Sequence, residues 1–124
     1  FDTGERRKLN LGHSFGHAVE ACSDFSIPHG CAVAIGMAII TRAAVKRGLC
    51  SRETLDRLLA ILDQYDLPTQ TEHHTEELYR AALSDKKIAG GKMHLIVPRQ
   101  IGRCDIVSIP EGEIPDWLRD GGVQ

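Results

Sequence analysis

The sequence predicts a mainly α-helical unit carrying one small β-hairpin near its C-terminal end. Three observations predict it. Apolar residues recur at helical spacing through roughly the first two-thirds of the chain, with Gly and Pro falling between segments. After Gly90-Gly91 the pattern changes to two short runs rich in β-branched residues. The first third is dense in Gly, His and small residues, which permit close approach of backbone or ligand.

The elements follow in order. Leu9–Cys22 (LNLGHSFGHAVEAC) reads as a helix whose glycines interrupt otherwise good helix formers. From His29 to Arg47 the residues Ala32, Val33, Ile35, Ile39, Ile40, Ala43 and Ala44 cover most of the helical circumference, as expected of a central, buried helix. Gly48 is placed to end it as the residue that adopts a left-handed conformation. Ser51 is a good N-cap for the next helix, in which Leu55, Leu58, Leu59 and Leu62 recur at i, i+3, i+4, i+7. Asp66-Leu67-Pro68 closes that segment. A fourth helix starts near Thr75 and carries Leu78, Ala81 and Ala82 toward Asp85-Lys86-Lys87. Met93–Val97 and Cys104–Ile109 read as the two strands of a hairpin, with the turn at Gln100–Gly102. A last short helix holds Ile114, Trp117 and Leu118.

Composition narrows the function classes. The chain has 124 residues, 42% apolar and 26% charged, near ordinary globular values and sufficient for one domain with a modest core. No apolar run approaches the ~18 residues of a membrane span, so no membrane association is expected. A formal net charge of -2 provides no basic footprint, so nucleic acid is not an expected partner. Cys22, Cys31, Cys50 and Cys104 form no CxxC pairs, which argues against a structural zinc finger or a dense disulfide framework. Reduced thiols in a cytoplasmic protein are the plain reading, and the polar N-terminus shows no signal peptide. The chain opens on Phe1-Asp2 without a Met, so we read 1–124 as a single domain cut from a longer protein.

The chemistry-bearing residues concentrate in Gly12-His13-Ser14-Phe15-Gly16-His17 and Pro28-His29-Gly30. On a helix His13 and His17 lie one turn apart on one face. Spacing alone would let both hold one metal, with His29 returning from the next helix as a third ligand and an open position for water or substrate. HxxxH by itself is weak, and histidines near a helix end more often make ordinary hydrogen bonds. His73-His74 lie in a polar loop, with no metal role expected.

The order of motifs carries further. Leu9-Asn10-Leu11-Gly12-His13-Ser14-Phe15-Gly16-His17-Ala18-Val19-Glu20 is followed by His29-Gly30, then Ala32-Val33-Ala34-Ile35-Gly36-Met37. Asp85-Lys86-Lys87, Gly91-Lys92-Met93 and Leu95-Ile96-Val97-Pro98 come after them in sequence. Together these blocks resemble the 3-dehydroquinate synthases, from about Gly4 to about Ile109. The resemblance implies the helical C-terminal domain of a dehydroquinate-synthase-like fold. It also implies a phosphate-eliminating carbon–oxygen lyase of the shikimate pathway for aromatic amino acids, acting on the sugar phosphate 3-deoxy-D-arabino-heptulosonate 7-phosphate.

Carried over by position, the family's metal-binding histidines (for Zn2+, or Co2+) fall on His13 and His29. His17 falls instead on the substrate side, near the phosphate and its proton transfers, which replaces the HxxxH reading. Arg6 and Asn10 match substrate-contacting positions, and Lys86 or Lys87 matches a lysine on the substrate anion. Such a set suits a substrate with one carboxylate and one phosphate. The resemblance places the remaining metal ligand, a glutamate, well upstream. It likewise places the NAD-binding domain N-terminal to this region, and no glycine-rich nucleotide fingerprint occurs here. The chain alone is accordingly expected to be inactive and to bind zinc weakly. One departure stands out: Cys31 occupies a position that is commonly glutamate in the family, and it reads as a small buried hydrophobe. Glu20 reads as a structural support of its helix.

Two other readings compete. Other sugar-phosphate cyclases, and iron- or zinc-dependent polyol dehydrogenases, share the layout. Arg6, Asn10 and Asp85-Lys86-Lys87 favour a cyclase, because a simple alcohol dehydrogenase needs no anion cradle. A non-enzymatic relic would have little reason to keep the whole constellation. The family often forms dimers, so a homodimer is an admissible assembly.

Overall fold

The computed structural model describes residues 13–24, 26–83, 91–100 and 103–124. Among the described residues five helices and one antiparallel hairpin follow in order: α1 (His13–Cys22), α2 (His29–Lys46), α3 (Arg52–Gln64), α4 (Thr75–Leu83), β1 (Lys92–Gln100), β2 (Arg103–Pro110), a 3-10 turn (Glu111–Glu113) and α5 (Ile114–Asp120). The molecule is mainly helical with one two-stranded sheet, as the sequence predicts. The expected helical residues 9–12 and the stretch 84–87 lie outside the described residues.

α2 is the centre. It packs against α1, α3, α5 and β1, burying Ala32, Ile35, Ala38, Ile39, Ala43 and Ala44. Its apolar residues surround the helix because neighbours surround it. Over 18 residues its mean hydropathy reaches 1.2, so by length and composition it could span a membrane, contrary to the expectation that no apolar stretch approaches that length, and 56% of it is buried inside the fold. A buried core helix meets the length and composition of a membrane span for this reason.

The helix ends obey local rules. At the end of α2, Gly48 takes φ +77, while Leu49 N–H donates to the Ala44 carbonyl at 2.8 Å and Gly48 N–H to Val45 at 3.1 Å. That pair of bonds is a Schellman motif, with Gly at the position that disfavours a Cβ. The end of α3 repeats it with Asp66 at φ +56 and Leu67 N–H donating to the Leu62 carbonyl at 2.9 Å. Ser51 caps α3 as expected, its hydroxyl accepting from Thr54 N–H at 3.2 Å.

The hairpin is longer than the two predicted runs, with a register irregularity between Pro98 and Gln100. Its inner face pairs Met93 with Ile109 and Leu95 with Val107, and Met93, Leu95 and Val97 are fully buried. A two-stranded sheet is marginal by itself; packing this face onto α2 stabilises it. α5 closes the core with Ile114, Trp117 and Leu118, all buried. The Arg47 guanidinium lies 4.2 Å from the Trp117 ring centroid and bonds Asp120 at 2.9 Å, which fastens α5 to the end of α2.

Candidate metal and substrate site

α1 and α2 form an antiparallel pair, and the candidate residues His17 and His29 are carried by it. Gly16 makes the pairing close: a Cβ there would sit 3.0 Å from the Ala32 carbonyl oxygen and 3.1 Å from Val33 Cα. One turn further along α1, Glu20 reaches the first residue of α2. His29 Nδ1 and Glu20 Oε1 are 2.9 Å apart. The Glu20 side chain is only 12% exposed, whereas the His29 side chain is 60% exposed. Phe15, Ala18 and Val19, on the remaining faces of α1, are buried in the core.

An ionised carboxylate only accepts hydrogen bonds, so Nδ1 is the ring nitrogen that donates. In the neutral imidazole the electron pair then resides on Nε2, the form in which histidine binds a metal. The donor chemistry around His29 therefore fits a zinc or cobalt ligand. Among the described residues no group of three or more His, Cys, Asp and Glu gathers into a complete metal set.

His17 is exposed on α1. Positions 13, 17 and 20 fall on one side of the helix by periodicity, at i, i+4 and i+7. His13 is the first residue of α1. Arg6, Asn10, Lys86 and Lys87 lie outside the described residues. The sequence reading gave Glu20 only a support role within its own helix; the contact with His29 adds a bond to the next helix. Its signal was present in the sequence, since Glu20 is four residues from Gly16 on the same face, but the partner was not.

Cys31 is half-buried in the first turn of α2, less enclosed than the buried hydrophobe expected. No disulfide forms among the four cysteines, all of which are described. Burial pushes the Cys50 thiol up from its ordinary value, and burial followed by the Glu77 charge does the same to Cys22. His73 stands between Ser23 Oγ, at 3.1 Å from its Nε2, and Glu77 Oε2, at 3.4 Å from its Nδ1, tying the end of α1 to α4. A cleft of about 530 Å3 opens elsewhere, beside Arg42, Thr71, His74 and Val123. Thirteen residues along α2 separate Arg42 from His29, roughly 20 Å, and neither His17 nor His29 lines that cleft.

Comparison with known proteins bears on the family and the fold. The 3-dehydroquinate synthase C-terminal family model matches residues 1–88. The 3-dehydroquinate synthase of Enterococcus faecalis is 42% identical over 98% of this chain and 35% of its own length. That of Prochlorococcus marinus is 42% identical over 85% of this chain and 30% of its own. The chain thus spans about a third of the length of these relatives. Among solved structures, the 2-epi-5-epi-valiolone synthase of Streptomyces hygroscopicus, with NAD+ and Zn2+ bound, superposes with a TM-score of 0.76 at 29% identity, covering 92% of this chain and 32% of that one. A 2-deoxy-scyllo-inosose synthase complexed with carbaglucose-6-phosphate, NAD+ and Co2+ shares the fold, with a TM-score of 0.73 at 20% identity over 91% of this chain and 34% of that one. By the family match over most of its length, the chain belongs to the 3-dehydroquinate synthase C-terminal family.

Proposed function

We propose that this chain is the metal- and substrate-binding C-terminal part of a 3-dehydroquinate synthase. Together with an N-terminal NAD-binding domain it would convert 3-deoxy-D-arabino-heptulosonate 7-phosphate to 3-dehydroquinate with elimination of phosphate, in the cytoplasm. The observation that carries this reading is the family match over residues 1–88, which spans Arg6, Asn10, His13, His17, His29, Lys86 and Lys87.

In this reading His13 and His29 hold a zinc or cobalt ion, with a further ligand from the upstream part of the protein. Such an ion supplies Lewis-acid polarisation of a substrate oxygen, while NAD supplies a transient oxidation. The chain's own residues bind and orient. Arg6 offers a planar fork to a carboxylate. Asn10, Lys86 and Lys87 add donors and charge for the substrate anions. His17, exposed on α1, takes the phosphate and its proton transfers. Holding one reactive conformer in an enclosed charged pocket supplies the remainder of the rate.

Phosphate release from the heptulosonate phosphate by the parent protein, with NAD and zinc, tests this reading beside His13→Ala and His29→Ala. Release that disappears in both variants supports it. No release from a folded, metal-loaded parent overturns it. The 124-residue chain alone should be inactive and bind zinc weakly, and turnover by it would refute the proposed division of labour.

The valiolone synthase likeness favours one second reading, a different sugar-phosphate cyclase. Supplying the parent with a sugar phosphate that lacks a carboxylate, in place of the heptulosonate, separates the two. Turnover only without a substrate carboxylate would select the second.

A further inference from the structure

We propose that Glu20 is a positioning residue that fixes the tautomer and ring orientation of His29, presenting Nε2 as the metal-binding nitrogen. This rests on the reading of His29 as a metal ligand.

The asymmetry of the pair carries the inference. A carboxylate that is 12% exposed is held against an imidazole that is 60% exposed, at 2.9 Å. Burying a charged carboxylate on a helix that could have carried an apolar residue is unfavourable unless the charge is compensated. The hydrogen bond described for it goes to the ring at the start of α2, nine residues away along the chain and across the helix interface. A bond made only for stability would gain little from a partner so open to water, since exposed ion pairs contribute marginally. What the bond does determine is which nitrogen carries the proton and how the ring is turned.

In solution a neutral imidazole exchanges between two tautomers. A fixed acceptor on Nδ1 removes one of them and makes Nε2 a better electron-pair donor. The acceptor is itself well fixed. Glu20 is buried, as is Val19 before it, and Gly16, one turn earlier, sets the spacing to α2 at backbone contact. The same contact that packs the two helices therefore sets the height and rotation of the imidazole.

The test uses the full-length parent protein with Glu20→Gln, Glu20→Ala and His29→Ala. Gln keeps the side-chain volume, so a folded variant is available even if Ala disturbs the helix pair. Zinc affinity is measured by chelator competition, and the His29 ring is observed in the metal-free protein by nitrogen and carbon NMR shifts. We expect the wild-type ring to show the Nδ1–H form. Glu20→Gln should populate both tautomers and weaken zinc by roughly 10–100-fold, with unfolding temperature nearly unchanged. If His29→Ala loses zinc while Glu20→Gln keeps wild-type affinity and a wild-type ring spectrum, the positioning role is overturned and the ligand reading stands. Unchanged zinc affinity in His29→Ala overturns both.

Discussion

Glu77 shows how a single side chain couples this fold to pH. As the third residue of α4 it accepts the His74 backbone N–H at 3.0 Å, one half of a capping box, and it also meets the His73 ring. The backbone bond first, and then the His73 bond, hold its carboxyl below the ordinary carboxylate value. A depressed folded-state value stabilises the protein above the unfolded pKa of about 4.3, and that stability is lost as pH falls through the lower folded value. A pH series of thermal unfolding should therefore show an acid-side decline that Glu77→Gln reduces; water around this exposed group keeps the change small. Cys50 behaves differently. Its thiol is raised chiefly by burial, so little thiolate forms at neutral pH, and it should be alkylated more slowly in the native protein than after unfolding. Equal rates in the two states would show that the thiol is accessible.

Helix ends and helix contacts set the second scale. Ser51 satisfies an otherwise orphaned amide of α3, and Ser51→Ala should cost about 1 kcal/mol in a denaturation midpoint measurement. Two glycines act at the contacts instead. A Cβ on Gly121 would lie 2.5 Å from the Ile39 carbonyl oxygen and 2.6 Å from Ile39 Cγ2, so Gly121→Ala should destabilise by roughly 1–3 kcal/mol as α5 is forced off α2. Gly16→Ala is the more informative change, because helix propensity by itself would favour it by about 1 kcal/mol. Its new methyl meets backbone of α2 rather than a flexible side chain. Stability should fall in spite of the propensity, and zinc affinity of the parent should fall with it as His29 moves relative to α1. A rise in unfolding temperature would show that α2 gives way.

For the molecule as a whole, α2 is the strut on which the other elements depend, with the hairpin among them. Leu95 is buried between β1 and the helical core, and Leu95→Ala should cost about 2–5 kcal/mol, detected as an earlier cooperative unfolding transition. Hydrogen exchange should show the hairpin amides losing protection together. The proposed site is at the opposite end of α2 from the Gly48 cap and the Arg47–Trp117 contact. Its first turn, where His29 stands, meets Glu20 of α1.

The sequence by itself determined the local decisions. Gly48 ends α2 and Ser51 begins α3 because left-handed backbone and orphaned amides are satisfied within a few residues, and no distant partner is required. The leucine stripe of α3 and the change to β-branched runs likewise reported helix and strand before any packing was known. Order and spacing of motifs carried the family and, through it, the proposal of Arg6, Asn10, His13, His17, His29, Lys86 and Lys87 as site residues, where spacing alone offers only the three histidines. Tertiary structure decided which faces meet. Glu20 is a helical residue with one buried side in any reading of the sequence; that His29 is what it bonds follows only from the angle and distance between α1 and α2. Ile39 gives no sign in sequence that it abuts Gly121, 82 residues further on. Periodicity fixes the face a side chain takes on its own helix, whereas the partner of that face depends on the packing of all the helices at once.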